Sequence, residues 1–198
     1  MYNPNEARII RESSYGYHLI PIQDEMLSHR EVELVGEVDA NTVNPLIRQL
    51  RYLQCEDPEA PITLYINSPG GSVDSGMALY DVMQAVSCPV RTVCVGLAAS
   101  MAALLFVSGA ERDMLPHSRL MIHDPLIIQT GGSALKLKAI SDDLMETRQI
   151  IAKVIAEHSG KSMEEVLEKT ANDSYFRAEE AVKFGLADHI ITSFAENK

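Results

Sequence analysis

Apolar and polar residues alternate across residues 31–36, with Val32, Leu34 and Val35 set against Glu31 and Glu33, and this predicts a strand with one buried face. The period then changes. Asp39 or Asn41 caps a helix that runs to about Gln54. A short apolar run over residues 61–67 predicts a second strand, and Asn67, Ser68, Pro69, Gly70, Gly71 and Ser72 read as a turn. A helix from about Asp74 to Val86 carries Met77, Tyr80, Met83 and Val86 along one side. Residues 89–95 read as a buried strand, and the residues after Ser100 as an apolar helix to about Val107. A short strand follows at residues 119–123, then a long helical tract over 133–158 punctuated by Gly160. Ser162 and Glu165 form a capping box, residues 178–184 a short helix ended by Gly185, and residues 189–192 a final strand. Residues 1–29 hold no sustained period and are expected to be loop-rich. Strands alternating with helices predict an α/β domain with a mostly parallel sheet. No repeat, low-complexity tract or linker divides the 198 residues, a length that suits one domain with a real core.

Charge and cysteine content narrow the partners. A formal net charge of -11 argues against nucleic acid and against an anionic membrane, because phosphate binding needs a basic face. Residues 92–110 carry no charge and approach a membrane-spanning length, but Gly96, Ser100, Ser108 and Gly109 interrupt them, and Arg91 and Arg112 flank both ends. A buried strand followed by a buried helix accounts for the stretch. Cys55, Cys88 and Cys94 show neither a pairing pattern nor metal-ligand spacing, and the N-terminal residues are polar, so a cytoplasmic location is expected.

Ser100 is a single polar side chain in a run of small apolar residues, Gly96 to Ala103, at a predicted strand-to-helix junction. Unpaired N–H groups at such a junction stabilise a developing negative oxygen; an ordinary helix-capping serine is the simpler use of the position. Ser68-Pro69-Gly70-Gly71 lies between a strand and a helix, where glycines leave backbone N–H groups uncovered for an oxyanion, or simply make a tight turn. The spacing fits neither a dinucleotide fingerprint nor a P-loop. His123 ends an apolar strand and could take a proton from a serine; a metal pair with His117 has no third ligand at suitable spacing. Asp173 sits in a loop before Tyr175 and Phe176, and Asp124, Asp142 and Asp188 compete with it as the acid that orients the histidine.

Taken together, residues 65–72, 96–102, 115–123 and 173–188 resemble the proteolytic-subunit (ClpP) family of the Clp proteases in order and spacing, from about Glu31 to the end. The resemblance implies an α/β fold of the ClpP/crotonase type, built of repeated β-β-α units with a protruding handle helix. It implies an N-terminal axial segment over 1–30, a single serine peptidase domain over 31–198, and a handle region at about 125–158. It implies Ser100 as nucleophile, His123 as base and Asp173 as orienting acid, with the N–H groups of Gly71 and Met101 as the oxyanion hole. Gly70, Ser72, Pro125 and Leu126 fall where family members line an extended substrate backbone. The implied activity is hydrolysis of unfolded polypeptides inside a closed chamber of heptameric rings stacked as a tetradecamer, without metal or organic cofactor, fed by an AAA+ unfoldase ATPase. Three segments depart from the family pattern: residues 15–22 in the axial region, Thr63 where an aromatic often lines the unfoldase pocket, and Ala171-Asn172 where an Asp-Arg pair ties ring to ring. Those departures raise the alternative of a regulatory subunit that mixes with an active ClpP paralogue. A crotonase-type acyl-CoA enzyme shares the fold logic and is the third reading.

Overall fold

The computed structural model describes residues 7–127 and 129–194; the ends of the expected axial segment (1–6) and of the peptidase domain (195–198), and position 128 in the handle region, lie outside the described residues. Strand β3 (Glu31–Val38) opens the main sheet, followed by helix α2 (Ala40–Glu56), β4 (Ile62–Gly71), α3 (Val73–Ala85), β5 (Val90–Ala99) and α4 (Met101–Val107). Then come β6 (Glu111–Met114), β7 (Arg119–Ile122), α5 (Ala134–Ser159), α6 (Met163–Thr170), β8 (Ser174–Arg177), α7 (Ala178–Phe184) and β9 (His189–Ile190). Ahead of them a hairpin of β1 (Arg8–Ser13) and β2 (Gly16–Pro21) leads into α1 (Ile22–Ser28). This segment is regular where a loop-rich one was expected. Its strands are almost wholly exposed, so no buried face leaves a period in the sequence.

The sheet is mostly parallel, in the order β3-β4-β5-β6-β9, with β7 on β5 and β8 antiparallel on β7. Helix α4 is buried at every residue and packs on β4 and β5, with α3 and the C-terminal half of α5 against it, while α2 packs on β3 and α3. Of the two candidate caps for α2, Asp39 is the one used, accepting from the N–H groups of Asn41 and Thr42, and Ser162 caps α6 within the expected box closed by Glu165. Ser133, where the long helical tract was expected to begin, is the cap of α5. Gly160 and Gly185 end their helices in the left-handed region, at φ 68° and 92°.

Two differences from the sequence reading bear on the site. The expected turn at residues 67–72 is strand: β4 continues to Gly71 and pairs Gly70 with Glu37 and Gly71 with Val38. Strand β5 likewise runs on to Ala99 and divides its pairing. Its first half, Arg91 to Cys94, lies beside β6, and Leu97 to Ala99 lie beside β7. Gly96, at φ 93°, stands between the two halves. Among the described residues no helix is long and apolar enough to cross a membrane, in keeping with the strand-plus-helix reading of residues 92–110.

Candidate active site

Register delivers the site. Parallel pairing of Ala99 with Met121 brings the ends of β5 and β7 to the same edge, so Ser100 and His123 leave the sheet together. Antiparallel pairing of Ile122 with Ser174 makes the next pair outward His123 and Asp173. Three residues from distant parts of the chain thus meet at one sheet corner. The Ser100 Oγ lies 2.7 Å from His123 Nε2, and His123 Nδ1 lies 3.6 Å from Asp173 Oδ1. The His123 ring is largely enclosed, whereas the Asp173 side chain is 61% exposed and stands at ion-pair rather than hydrogen-bond distance.

Ser100 precedes α4 but does not cap it. Its backbone sits at φ 55°, its hydroxyl makes no cap hydrogen bond, and its N–H donates to Met121 O at 2.8 Å. A non-glycine residue in the left-handed region costs of order 1–3 kcal/mol and persists where the surroundings hold it. Here that strain turns the side chain away from the helix and toward the imidazole. The surroundings are tight. Met101 is buried against Gly76 of α3, where a Cβ would come 2.2 Å from Met101 Cγ.

The glycine pair approaches the junction from β4. A Cβ on Gly70 would stand 2.7 Å from Ser100 Cβ and 3.0 Å from Met101 N, so a bare backbone is required. Gly71, at φ 151°, is pressed in the same way against Val38. Buried Ser68 orders the segment by accepting from the Gly70 N–H at 3.1 Å. Ser72 spends its hydroxyl as the N-cap of α3. Pro125 borders a small apolar cavity of about 20 Å³ beside Ser100 and His123, walled by Leu104, Ile122 and Ile155. Leu126, the next residue, is exposed.

The competing acids are engaged elsewhere. Asp124 accepts from Arg148 Nε at 2.6 Å, Asp142 pairs with Lys138 at 2.5 Å and Asp188 with Arg112 at 2.5 Å. The Asp124–Arg148 pair, directly behind the histidine, went unseen in the sequence because 24 residues separate its partners. His123 faces Ser100 and not His117. The described residues with metal-ligand proximity are instead Glu111, Asp113 and His189, within 4.8 Å of one another at the opposite ends of the strands. Arg91 already pairs with Asp113 there, and these residues border a larger cavity of about 960 Å³ that does not reach Ser100. Cys94 is a buried thiol pushed up to about 11 by desolvation, which makes it inert.

A strained serine between a strand and a buried helix, in contact with an imidazole, is an arrangement of the serine-hydrolase kind. The Clp protease family model matches residues 14–194, and the chain belongs to that family. Membership makes it a ClpP-type serine peptidase by family, as the resemblance of its motifs implied.

Proposed function

We propose that the chain is the proteolytic subunit of an ATP-dependent Clp-type endopeptidase, with Ser100 as nucleophile, His123 as general base and Asp173 as the group that orients the imidazole. The observation that carries this reading is the 2.7 Å contact between Ser100 Oγ and His123 Nε2. His123 takes the hydroxyl proton as Oγ attacks a peptide carbonyl carbon. The N–H groups of Gly71 and Met101 hold the oxyanion, and their donation strengthens as its charge develops. His123 then returns the proton to the leaving amine, the C–N bond breaks, and an acyl-enzyme remains. Water, deprotonated by the same imidazole, releases the acid and restores Ser100.

An extended peptide running between Gly70–Ser72 and Pro125–Leu126 would add as a strand beside Ser100. In this reading the subunits form heptameric rings, stacked as a tetradecamer, and a cytoplasmic AAA+ unfoldase threads unfolded polypeptide into the chamber. A second reading draws on Asp173. Its exposure and its 3.6 Å separation from His123 fit a subunit whose triad closes only on assembly, with its own kind or with a paralogue in a mixed ring.

The test is hydrolysis of a fluorogenic peptide by the assembled protein and by Ser100→Ala. Turnover lost in the variant, with ring mass unchanged by light scattering, is the expected result. Equal turnover by the two proteins contradicts the assignment. Turnover gained only on adding a paralogue selects the mixed ring.

A further inference from the structure

His123 and Asp173 do not hold each other by a direct hydrogen bond, so something else must fix the distance between them. Residues close to each in the chain supply the connection. Asp124, next to His123, donates its N–H to Thr170 O at 2.7 Å, and Thr170 lies three residues before Asp173. The Asp124 carboxylate accepts from Arg148 Nε at 2.6 Å, and Arg148 Nη2 donates to Leu167 O at 3.3 Å. Arg148 stands in the middle of α5, the long helix of the handle region. One guanidinium therefore joins three pieces: the end of the strand that carries the base, the end of the helix that precedes the acid, and α5.

Burial makes this connection stiff. The Arg148 and Asp124 side chains are 22% and 30% exposed, and Thr170 is 2% exposed. Asp124 Oδ1 is buried and makes no hydrogen bond to the described residues, so the charge of Asp124 is compensated through its other oxygen by Arg148. Removing the guanidinium leaves a half-buried carboxylate without its cation directly behind the imidazole, and the segment must move to hydrate it.

We propose that Arg148 and Asp124 are positioning residues for the proposed peptidase, a clamp through which α5 sets the His123–Asp173 distance and so the alignment of His123 on Ser100. This rests on the peptidase reading above. It assigns α5 a second task, because a shift of that helix would pull on base and acid together. Misplacement of a catalytic group by about 1 Å costs on the order of a hundredfold in rate, so small movements suffice.

Peptide hydrolysis is measured for wild type, Asp124→Asn, Arg148→Gln and the double variant, each checked for ring mass and for urea stability. Each single variant is expected to lose roughly ten- to a hundredfold in kcat with KM nearly unchanged, and the double variant to lose little more than either single. Arg148→Lys, which keeps the ion pair, should recover part of the loss. In parallel, the ring signals of 13C-labelled His123 are followed by NMR in wild type and Arg148→Gln, and a shifted environment is expected. Wild-type kcat in both single variants overturns the clamp, as does a loss fully explained by unfolding or by altered mass. Absence of hydrolysis by the wild type in any assembly overturns the peptidase reading alone. The clamp is then decided by the NMR comparison, where His123 signals unmoved by Arg148→Gln overturn it.

Discussion

A methyl group on Gly70 would fall 2.7 Å from the Cβ of Ser100, closer than two carbon atoms can stand without bonding. The glycine therefore sets the position of the nucleophile as much as the nucleophile's own strand does. Gly70→Ala must displace Ala99, Ser100 or Met101, and it must also adopt φ 91°. It is expected to cost roughly 1–3 kcal/mol in urea unfolding and to lower peptide turnover by at least tenfold, about the cost of overpacking together with misalignment. Gly131→Ala, where nothing lies within 4 Å, is the control and should leave both within error.

Asp173 supplies the second prediction. Its carboxylate faces His123 Nδ1, so Asp173→Asn removes the charge that favours an imidazolium and allows the wrong tautomer. Turnover should fall by roughly a hundredfold or more, with little effect on stability, because the side chain is mostly exposed. Loss of stability in place of turnover would give Asp173 a structural part instead.

Arg30 tests the fold away from the site. It sits at φ 63° and sends its guanidinium to the carbonyls of Leu53, Asp57, Ala60 and Pro61, closing the end of α2 over the start of β4. Arg30→Met keeps the aliphatic stem and removes all four bonds. A destabilisation of roughly 2–4 kcal/mol is expected, since bonds to a charged donor exceed neutral ones. Reactivity of Ser100 in the fraction that remains folded should be unchanged.

The acid limb of stability is set partly by Asp188. Hydrogen bonds from the Arg112 side chain hold its carboxyl below the usual carboxylate range. The unfolded chain, with an ordinary carboxyl pKa near about 4, then binds the proton more tightly than the folded one. Stability from this pair is therefore complete above about pH 4 and lost as pH falls toward the lower folded value. Asp188→Asn should lower stability at pH 7 by roughly 1–3 kcal/mol and flatten its fall below about pH 4. An equally steep fall in the variant would assign the acid limb to other carboxylates.

How far these features could be read from the sequence depended on their range. The box at Ser162 and Glu165 and the stops at Gly160 and Gly185 are local and stood in the sequence as they stand in the fold, and the cap of α2 was narrowed to Asp39 or Asn41, of which the fold uses Asp39. Strand β6 was not legible, because Arg112 and Asp113 look like surface residues until Asp188 and Arg91 neutralise them from afar. Strand β8 read as loop for a similar reason: four residues become a strand only through antiparallel pairing with β7. At the site, residue types could be recognised and the acids could not be ranked without the family resemblance. What separates Asp173 from Asp124 is the register of β7 on β8 and an arginine on α5, and neither leaves a mark near the aspartates themselves. The left-handed backbone of Ser100 was likewise hidden, since nothing in a run of small residues distinguishes a strained junction from an ordinary cap.

The most direct measurement is covalent labelling by a fluorophosphonate, with the adduct located by mass spectrometry in the assembled protein and in His123→Ala. A single adduct on Ser100, formed in the wild type and lost when the imidazole is removed, is the predicted result. An unlabelled Ser100 in every assembly state, or labelling that persists without His123, would contradict the central claim that this hydroxyl is activated by that ring.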